Sequence, residues 1–454
     1  RVRWDSMSFS LSEEQQKLFD YIESTDANIF ITGRAGTGKS TLLSYLIANT
    51  EKSFAVCAPT GVAALNVGGV TIHSLFTFPF GVLGEVDISR HMSRRTREVL
   101  RAIDVLVIDE ISMVNADLMD AISKAMGIAR GRRKLPFGGA QVVMFGDPYQ
   151  LSPVPPNDPQ DRAYMAETYQ SQWFFDAHVW KEADLERYEL SHIFRQSDDE
   201  FKQVLNAIRD GSVDQDMLDV LNTAGNRFPP HPDVIRLATI NNTVHEVNRR
   251  RLEVLETESK MFEARYSVDA KEKFGKQLPA ETGLELKVGS QVMFIKNDDT
   301  ANGERRWVNG TIGRVVEFPS SGGVVVESEG EQLQVGYATW EKVRYEIEED
   351  FDEASGTAKE KLVPVTVAEF KQIPLRLAWA VTIHKSQGQT YDEVVVDMGG
   401  GAFSPGQTYV ALSRVRSLQG LYLTRAIRMQ DVMVDSDVVR FMTTSKQPKL
   451  ETLY

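Results

Sequence analysis

The sequence predicts an α/β protein built on open, mostly parallel sheets, with an all-β segment set into its second half. Three observations predict it. Up to residue 185, short apolar runs alternate with segments of helical period. Polar residues suited to chemistry stand at the C-terminal ends of those runs, where open parallel sheets carry their sites. From Glu263 to Pro364 the pattern changes to short alternating runs separated by glycine-containing turns, as in a small barrel, and the α/β pattern then returns.

The first run, "NIFIT" (Asn28–Thr32), is apolar and β-branched and reads as a buried strand. "KSTLLSYLIAN" follows with apolar residues at helical spacing. Between them Gly33-Arg-Ala-Gly36-Thr37-Gly38-Lys39-Ser40 fits G-x-x-x-x-G-K-[ST]. Glycines let the backbone turn its N–H groups onto phosphate oxygens, and the helix start adds its positive dipole end. Lys39 is placed to reach the β- and γ-phosphates and Ser40 to hold Mg2+; Gly36, Thr37, Gly38 and Thr41 complete the nucleotide-binding candidates. The bland alternative is a glycine-rich turn, which the strand-loop-helix setting disfavours.

"SFAVCAP" reads as the next strand and "TGVAALNV" as the start of a helix. "DVLVIDEISMV" (Asp104–Val114) is an apolar strand ending in two acids. Asp109 suits a metal held through water, and Glu110 suits orienting or deprotonating an attacking water. The alternative is an acidic pair that caps a helix. "QVVMFGDPYQLSPV" is a further strand, followed by Gln150, an amide placed to sense a γ-phosphate.

The 454 residues suggest about three domains. The composition is ordinary, with 42% hydrophobic and 25% charged residues. The one cysteine, Cys57, excludes an internal disulfide framework and a cysteine-rich metal site, and its apolar surroundings make it a core residue. No apolar stretch is long enough to span a bilayer and no secretory signal is visible, so a soluble intracellular protein without a membrane partner is expected. "RVRWDS", ahead of Met7, has no periodicity and is left out of the fold. The net charge of −13 argues against a generally basic nucleic-acid-binding surface. Two basic runs, Ser89–Arg101 and Ala129–Lys134, and an acidic run with six carboxylates, Tyr345–Glu353, leave room for a local positive field; each is also explicable as a solvated face.

"GDPYQLSPV", "VTIHKSQGQTYDEVVVD" (Val381–Asp397) and "YVALSRVRSLQGLYL" (Tyr409–Leu423) resemble the motor motifs of superfamily 1 DNA helicases of the 5′-to-3′ branch. "EISMVNADLMDAISKAMGIAR" (Glu110–Arg130) resembles the signature helix of the PIF (petite integration frequency) family, and the likeness runs from Leu11 to Ala426. It implies two RecA-like parallel-sheet motor domains, a small wedge insertion in the first and a barrel-like insertion in the second. The expected boundaries are 1–185 for the first motor domain with the wedge at 70–100, 186–262 and 365–454 for the second, and 263–364 for the barrel.

The same resemblance implies residue roles. "LSEEQQ" resembles the family's Q motif, with Gln15 reading the adenine edge and Gln16 the alternative register. "LSHIFRQ" places Arg195, and "ALSRVRS" places Arg414, as arginine fingers that reach the γ-phosphate on closure of the two motor domains. Gly388 of "TIHKSQG" joins the nucleotide-binding set. "APTGVAA" and "TIHSLF" resemble strand-contacting motifs, which implies DNA contacts at Pro59, Thr60, Gly61 and His73; "TIHKSQG" adds Thr382, His384 and Lys385. Hydroxyls, imidazoles and backbone amides suit phosphate contacts that read no sequence. In "LFTFPFG", the alternation of Phe76, Phe78 and Phe80 fits either a core face or a surface against bases, and Phe78 is taken as the DNA contact; His73 alone is as readily a capping or core residue.

The function implied is an ATP- and Mg2+-dependent helicase that moves 5′ to 3′ on single-stranded DNA and unwinds duplex, forked or structured DNA, four-stranded G-rich DNA included. It is expected to be a monomer in solution, in a bacterial cytoplasm or nucleoid, or in a nucleus or mitochondrion if eukaryotic. The alternatives are a RecD-type or relaxase-associated helicase and a metabolic phosphate-loop ATPase.

Overall fold

Apolar runs become central strands because both faces of a parallel sheet are covered. In the computed structural model, which describes residues 10–34, 37–150, 152–191, 198–275, 278–299 and 305–445, this holds for β1 (Asn28–Thr32), β2 (Phe54–Ala58), β4 (Val105–Ile108) and β5 (Gln141–Phe145). All four residues of β4 and all five of β5 are buried. Each such Val, Ile or Phe contributes about 1.5–3 kcal/mol on removal from water. With the short β3 (Val70–Thr71) and the edge strand β6 (Leu185–Glu189) they form a six-stranded sheet in the order β3-β2-β4-β5-β1-β6, all pairings parallel. Cys57 lies in β2, fully buried, and burial pushes its thiol far up in pKa, so it is an inert core residue.

The chain divides into two units, and the division differs from the expected one. The first unit takes residues 1–192, 341–368 and 440–454; the second takes 193–340 and 369–439. The boundary expected at 185 falls beyond Ser191 because β6 is a strand of the first sheet and Leu190 N–H donates to Thr32 O at 2.9 Å. Residues 440–445 were expected in the second motor domain but pack in the first unit. Phe441 stacks on Phe175 at 4.3 Å between centroids, within a cluster of Phe30, Phe174 and Trp180. Arg440 pairs with Asp176 at 2.9 Å.

The acidic run also lies outside the expected barrel. Two long strands, Ala338–Asp352 and Thr357–Gln372, form a hairpin, and its residues 341–368 belong to the first unit rather than to a barrel. Tyr345 is buried there, and its hydroxyl accepts from Val56 N–H of β2 at 2.9 Å. Glu346 pairs with Arg95 of the basic run at 3.0 Å, so the two oppositely charged runs meet. Part of the acidity that argued against DNA binding is thus paired with local base.

The second unit holds a four-stranded parallel sheet in the order Ala380–Thr382, Ile235–Ala238, Val394–Asp397, Leu421–Leu423. Between its first two strands in sequence lies the β-rich segment. Its main sheet has five antiparallel strands, Glu331–Val335, Val324–Ser328, Ile312–Glu317, Gln291–Phe294 and Leu375–Leu377, around a core that includes Phe294, Trp307 and Val326. It is not wholly β, because Val268–Phe274 is a helix. The glycine triplet 399–401, flexible by composition, is held: Arg425 Nε donates to Gly399 O at 2.9 Å and Arg428 to Gly400 O at 3.2 Å. Among the described residues no helix is long and apolar enough to cross a membrane.

Candidate functional site

The C-terminal ends of β1, β4 and β5 converge on one cleft. It is lined by Lys39, Ser40, Asp109, Glu110, Ser112, Gly146, Asp147 and Gln150. The four side chains singled out at strand ends, Lys39, Asp109, Glu110 and Gln150, are therefore neighbours, although they are spread over more than a hundred residues of chain.

After β1 the chain turns at Gly38, whose φ of 87° is left-handed and open to glycine at little cost. Gly38 caps the helix Lys39–Asn49. A side chain at Gly38 would also strike Gln15, whose Nε2 lies 2.1 Å from the place a Cβ would take. Gln15 is buried, donates from Nε2 to Gly38 O at 3.0 Å and accepts at Oε1 from Ser12 N–H at 2.8 Å. The Gln15 amide thus braces the phosphate loop through Gly38 O. Gln16, the alternative register, is spent on Asp20 at the surface. Thr37 is buried and donates from Oγ1 to Arg34 O at 2.8 Å, while Lys39 Nζ donates to Gly33 O and, at 3.3 Å, to Arg34 O. Ser40 is exposed at the helix start and Thr41 is half-buried beside it. Gly36 lies outside the described residues.

Asp109 and Glu110 follow β4 directly. Asp109 N–H still bonds to Cys57 O at 2.9 Å, continuing the sheet. Glu110 then adopts φ 52° and ψ 44°, a left-handed conformation that costs a non-glycine residue on the order of 1 kcal/mol or more. Gly146, at the end of β5, makes room for this turn: a Cβ there would sit 2.9 Å from Ile111 Cγ2 and 3.2 Å from Ile111 N. Burial, reinforced by the neighbouring Glu110 charge, lifts the Asp109 carboxyl to about 7. Burial also raises Glu110, against the pull of Lys39. Two crowded carboxylates raised in this way fit a cation. No cluster of three acidic, histidine or cysteine ligands exists among the described residues. A metal held by Ser40 and Asp109 would take its other ligands from phosphate and water, as magnesium does. Gln150 completes the cleft. Its Nε2 is buried with no hydrogen-bond partner among the described residues, a donor left available for an acceptor.

The remaining candidates fall into two groups. In the first unit Thr60 caps the helix Gly61–Val67 by accepting from Ala63 N–H at 3.2 Å, with Pro59 half-buried and Gly61 exposed. His73 sits in the next short helix, Ile72–Phe76, and burial pushes its pKa down. Phe78 does not fit its expected DNA contact. It is buried and its ring stacks on Phe76 at 5.2 Å, out of reach of a base. The exposed ring is Phe80. In the second unit Thr382 is buried at a strand end and accepts from Lys385 N–H at 3.3 Å; His384, Lys385 and Gly388 are exposed. Arg414 is not a surface arginine. It is 2% exposed and bonds to Val410 O at 3.0 Å, Ser386 O at 3.2 Å and Ser413 Oγ at 3.0 Å. These bonds tie the helix Gln407–Leu412 to the "TIHKSQG" loop. Arg195 lies outside the described residues.

One residue was missed by sequence reasoning. Asp117, in the helix Ala116–Arg130, is 3% exposed and accepts from Leu83 N–H at 2.7 Å, with Gly84 N–H as a second donor. The signal available was an acid on the otherwise apolar inner face of this helix.

Residues 10–218 match the PIF1-like helicase family. Over 438 residues the chain is 33% identical to the ATP-dependent DNA helicase Pif1 of Bdellovibrio bacteriovorus, covering 95% of this chain and 91% of that protein. The ATP-dependent DNA helicase PIF1 of Mus musculus is 34% identical over 98% of this chain, which spans only 65% of the mouse protein. The crystal structure of Bacteroides sp. Pif1 in complex with ADP-AlF4 superposes with a TM-score of 0.83 at 35% identity, over 96% of this chain and 97% of that one. With its phosphate-loop sheet, its acid-and-amide cleft and these likenesses over nearly its full length, the chain belongs to the PIF1-like helicase family.

Proposed function

We propose that this chain is an ATP-driven DNA helicase that moves 5′ to 3′ on single-stranded DNA and separates duplex, forked or four-stranded G-rich DNA. The observation that carries the reading is the convergence of Lys39, Asp109, Glu110 and Gln150 on one cleft, in a family whose Bacteroides member has been seen bound to single-stranded DNA. Lys39 neutralises the β- and γ-phosphate charge once it leaves the loop carbonyls it now touches. Ser40 and Asp109 would hold Mg2+, which would screen the phosphates of bound ATP. Glu110, fixed by its left-handed turn, orients the attacking water and takes its proton. Gln150 donates to the γ-phosphate, and the loss of that acceptor on hydrolysis is the signal to the rest of the motor. Arg195 and Arg414 serve as fingers; for Arg414 this requires giving up the bonds it makes now.

DNA is held at its phosphates by Thr60, His73 and the amides around Pro59 and Gly61 in the first unit, and by Thr382, His384 and Lys385 in the second. Affinity is therefore indifferent to base sequence and falls with salt. We take the working form to be a monomer in a bacterial cytoplasm. The test is ATP hydrolysis with and without unstructured single-stranded DNA, with Lys39→Ala as the blank, followed by unwinding of duplexes with a 5′ or a 3′ tail. Stimulation lost in Lys39→Ala and unwinding only from the 5′ tail are expected. Hydrolysis indifferent to DNA would sink the reading. Glu110→Gln should still bind ATP and DNA while turnover falls about a hundredfold or more.

A further inference from the structure

The strand Leu375–Leu377 is an edge strand of the five-stranded sheet, and the chain runs on from it directly into the parallel sheet of the second unit. Arg376 is its middle residue, paired across to Met293, while Leu375 before it enters the core of the β-rich segment. Trp379 is buried, and the strand Ala380–Thr382 follows. The chain then turns back at "TIHKSQG", where Lys385 N–H donates to Thr382 Oγ1 at 3.3 Å. That turn brings Lys385 near enough to Arg376 for the two charges to act on each other.

The surroundings are poor ones for two cations. Arg376 is half-buried, and its Nε is fully buried with no hydrogen-bond partner. Among the described residues neither the Arg376 guanidinium nor the Lys385 ammonium makes a side-chain hydrogen bond or an ion pair. Loss of water pulls the pKa of both groups down, and the Arg376 charge lowers Lys385 further. Glu281 offsets part of this for each, but it is exposed and pairs with neither. A cation that has given up water without gaining a counter-charge is costly, and an arriving anion removes that cost. The planar fork of an arginine beside the point charge of a lysine suits the oxygens of a phosphate.

We propose that Arg376 is a further phosphate-gripping residue, and that with Lys385 it seats the backbone of the bound strand in the second unit. The inference rests on the reading that this chain binds single-stranded DNA, for which Lys385 is already a contact candidate. The seat takes a phosphodiester of any sequence, because it offers charge and N–H donors and nothing that reads a base. Glu281 keeps the grip from becoming permanent: it returns as the partial counter-charge when the phosphate leaves.

The test uses the full chain and fluorescent oligo(dT), with affinity followed against salt concentration. Arg376→Met keeps an apolar stem and removes the charge. It should weaken binding about tenfold. The slope of log affinity against log salt should become shallower by about 0.7, the value for one phosphate contact on a single strand. Arg376→Lys should keep the slope. Tm should hold or rise in Arg376→Met, since the group removed is a half-buried cation without a partner. A lower Tm with an unchanged slope would make Arg376 a structural residue and overturn the seat. An unchanged slope with a raised KM for ATP would assign the anion to the nucleotide and overturn it as well. If the unsubstituted chain fails to bind oligo(dT), the single-strand reading falls and takes the seat with it. Normal binding by the unsubstituted chain with the same slope in Arg376→Met sinks the seat alone.

Discussion

Asp117 should control the loop that presents Phe80, and the effect of removing it can be worked from its contacts. Its carboxylate is 3% exposed and receives two backbone N–H groups, Leu83 at 2.7 Å and Gly84. Bonds to a charged acceptor contribute about 1.5–3 kcal/mol each. Against this stands the cost of burying the carboxylate, visible in its raised pKa, where burial is the first cause and the two N–H groups pull the other way. A net loss of about 2 kcal/mol for Asp117→Ala is therefore expected, which is about thirtyfold in a local opening equilibrium. Hydrogen exchange followed by mass spectrometry reads it directly. Amides from Phe78 to Val86 should exchange about thirtyfold faster, while β4 and β5 stay protected. Were the same energy lost from the whole unit, Tm would fall about 4–8 °C, so a Tm that barely moves marks the effect as local. Asp117→Asn, which keeps one acceptor, should lie between. Unchanged exchange at Leu83 and Gly84 would refute the reasoning, and faster exchange spread over the whole sheet would make Asp117 a general core residue.

Other expectations are more local. Tyr345→Phe leaves Val56 N–H without its acceptor and should cost about 1–3 kcal/mol, a Tm drop of about 2–12 °C by calorimetry at about 2–4 °C per kcal/mol. Glu346→Ala removes only half-exposed ion pairs, to Arg95 and Arg344, and should not move Tm measurably. Gly146→Ala presses on Ile111 and so shifts Glu110; kcat for ATP should fall about tenfold to a hundredfold with KM nearly constant, and an unchanged kcat would mean the turn at Glu110 yields without harm. Although Lys385 reaches the surface, partial desolvation of its ammonium together with nearby Arg376, partly compensated by Glu281, lowers it to about 8. The ammonium is therefore charged below that pH and neutral above it. DNA affinity should hold from pH 7 to 8 and fall as pH rises through the pKa of the bound form, which phosphate lifts above the free value. Anisotropy titrations of Lys385→Arg should be flat over that range, and a fall of equal size in the arginine variant would exclude Lys385 as the group responsible.

The nucleotide cleft was legible because its residues obey local rules. β1, β4 and β5 are continuous apolar runs that only a buried parallel strand explains, and each ends in the residue type its chemistry needs. What was not legible depended on distant partners. The alternation in "LFTFPFG" suggested a strand face, but a left-handed residue at Thr77 ends a helix there, so Phe78 and Phe80 part company for reasons no period of two describes. The acidic run hid Tyr345, whose burial is decided by a backbone N–H 289 residues away. Gln15 was read by its motif, yet in the fold its amide serves Gly38. Arg414 has the sequence surroundings of an exposed arginine and gains its burial from Ser386, which lies 28 positions earlier.

Since residues 341–368 and 440–445 pack with residues 1–192, the nucleotide-binding unit is finished by chain that is synthesised later. When residue 192 leaves the ribosome, Val56 N–H has no Tyr345 to meet, and the aromatic pocket around Phe175 waits for Phe441. Final locking of the first unit thus waits for chain made well after residue 192, even on a chain that folds as it emerges. The same arrangement constrains inheritance. A recombination break between 192 and 341 would part the sheet from two of its own pieces, so the gene segments for both units travel together.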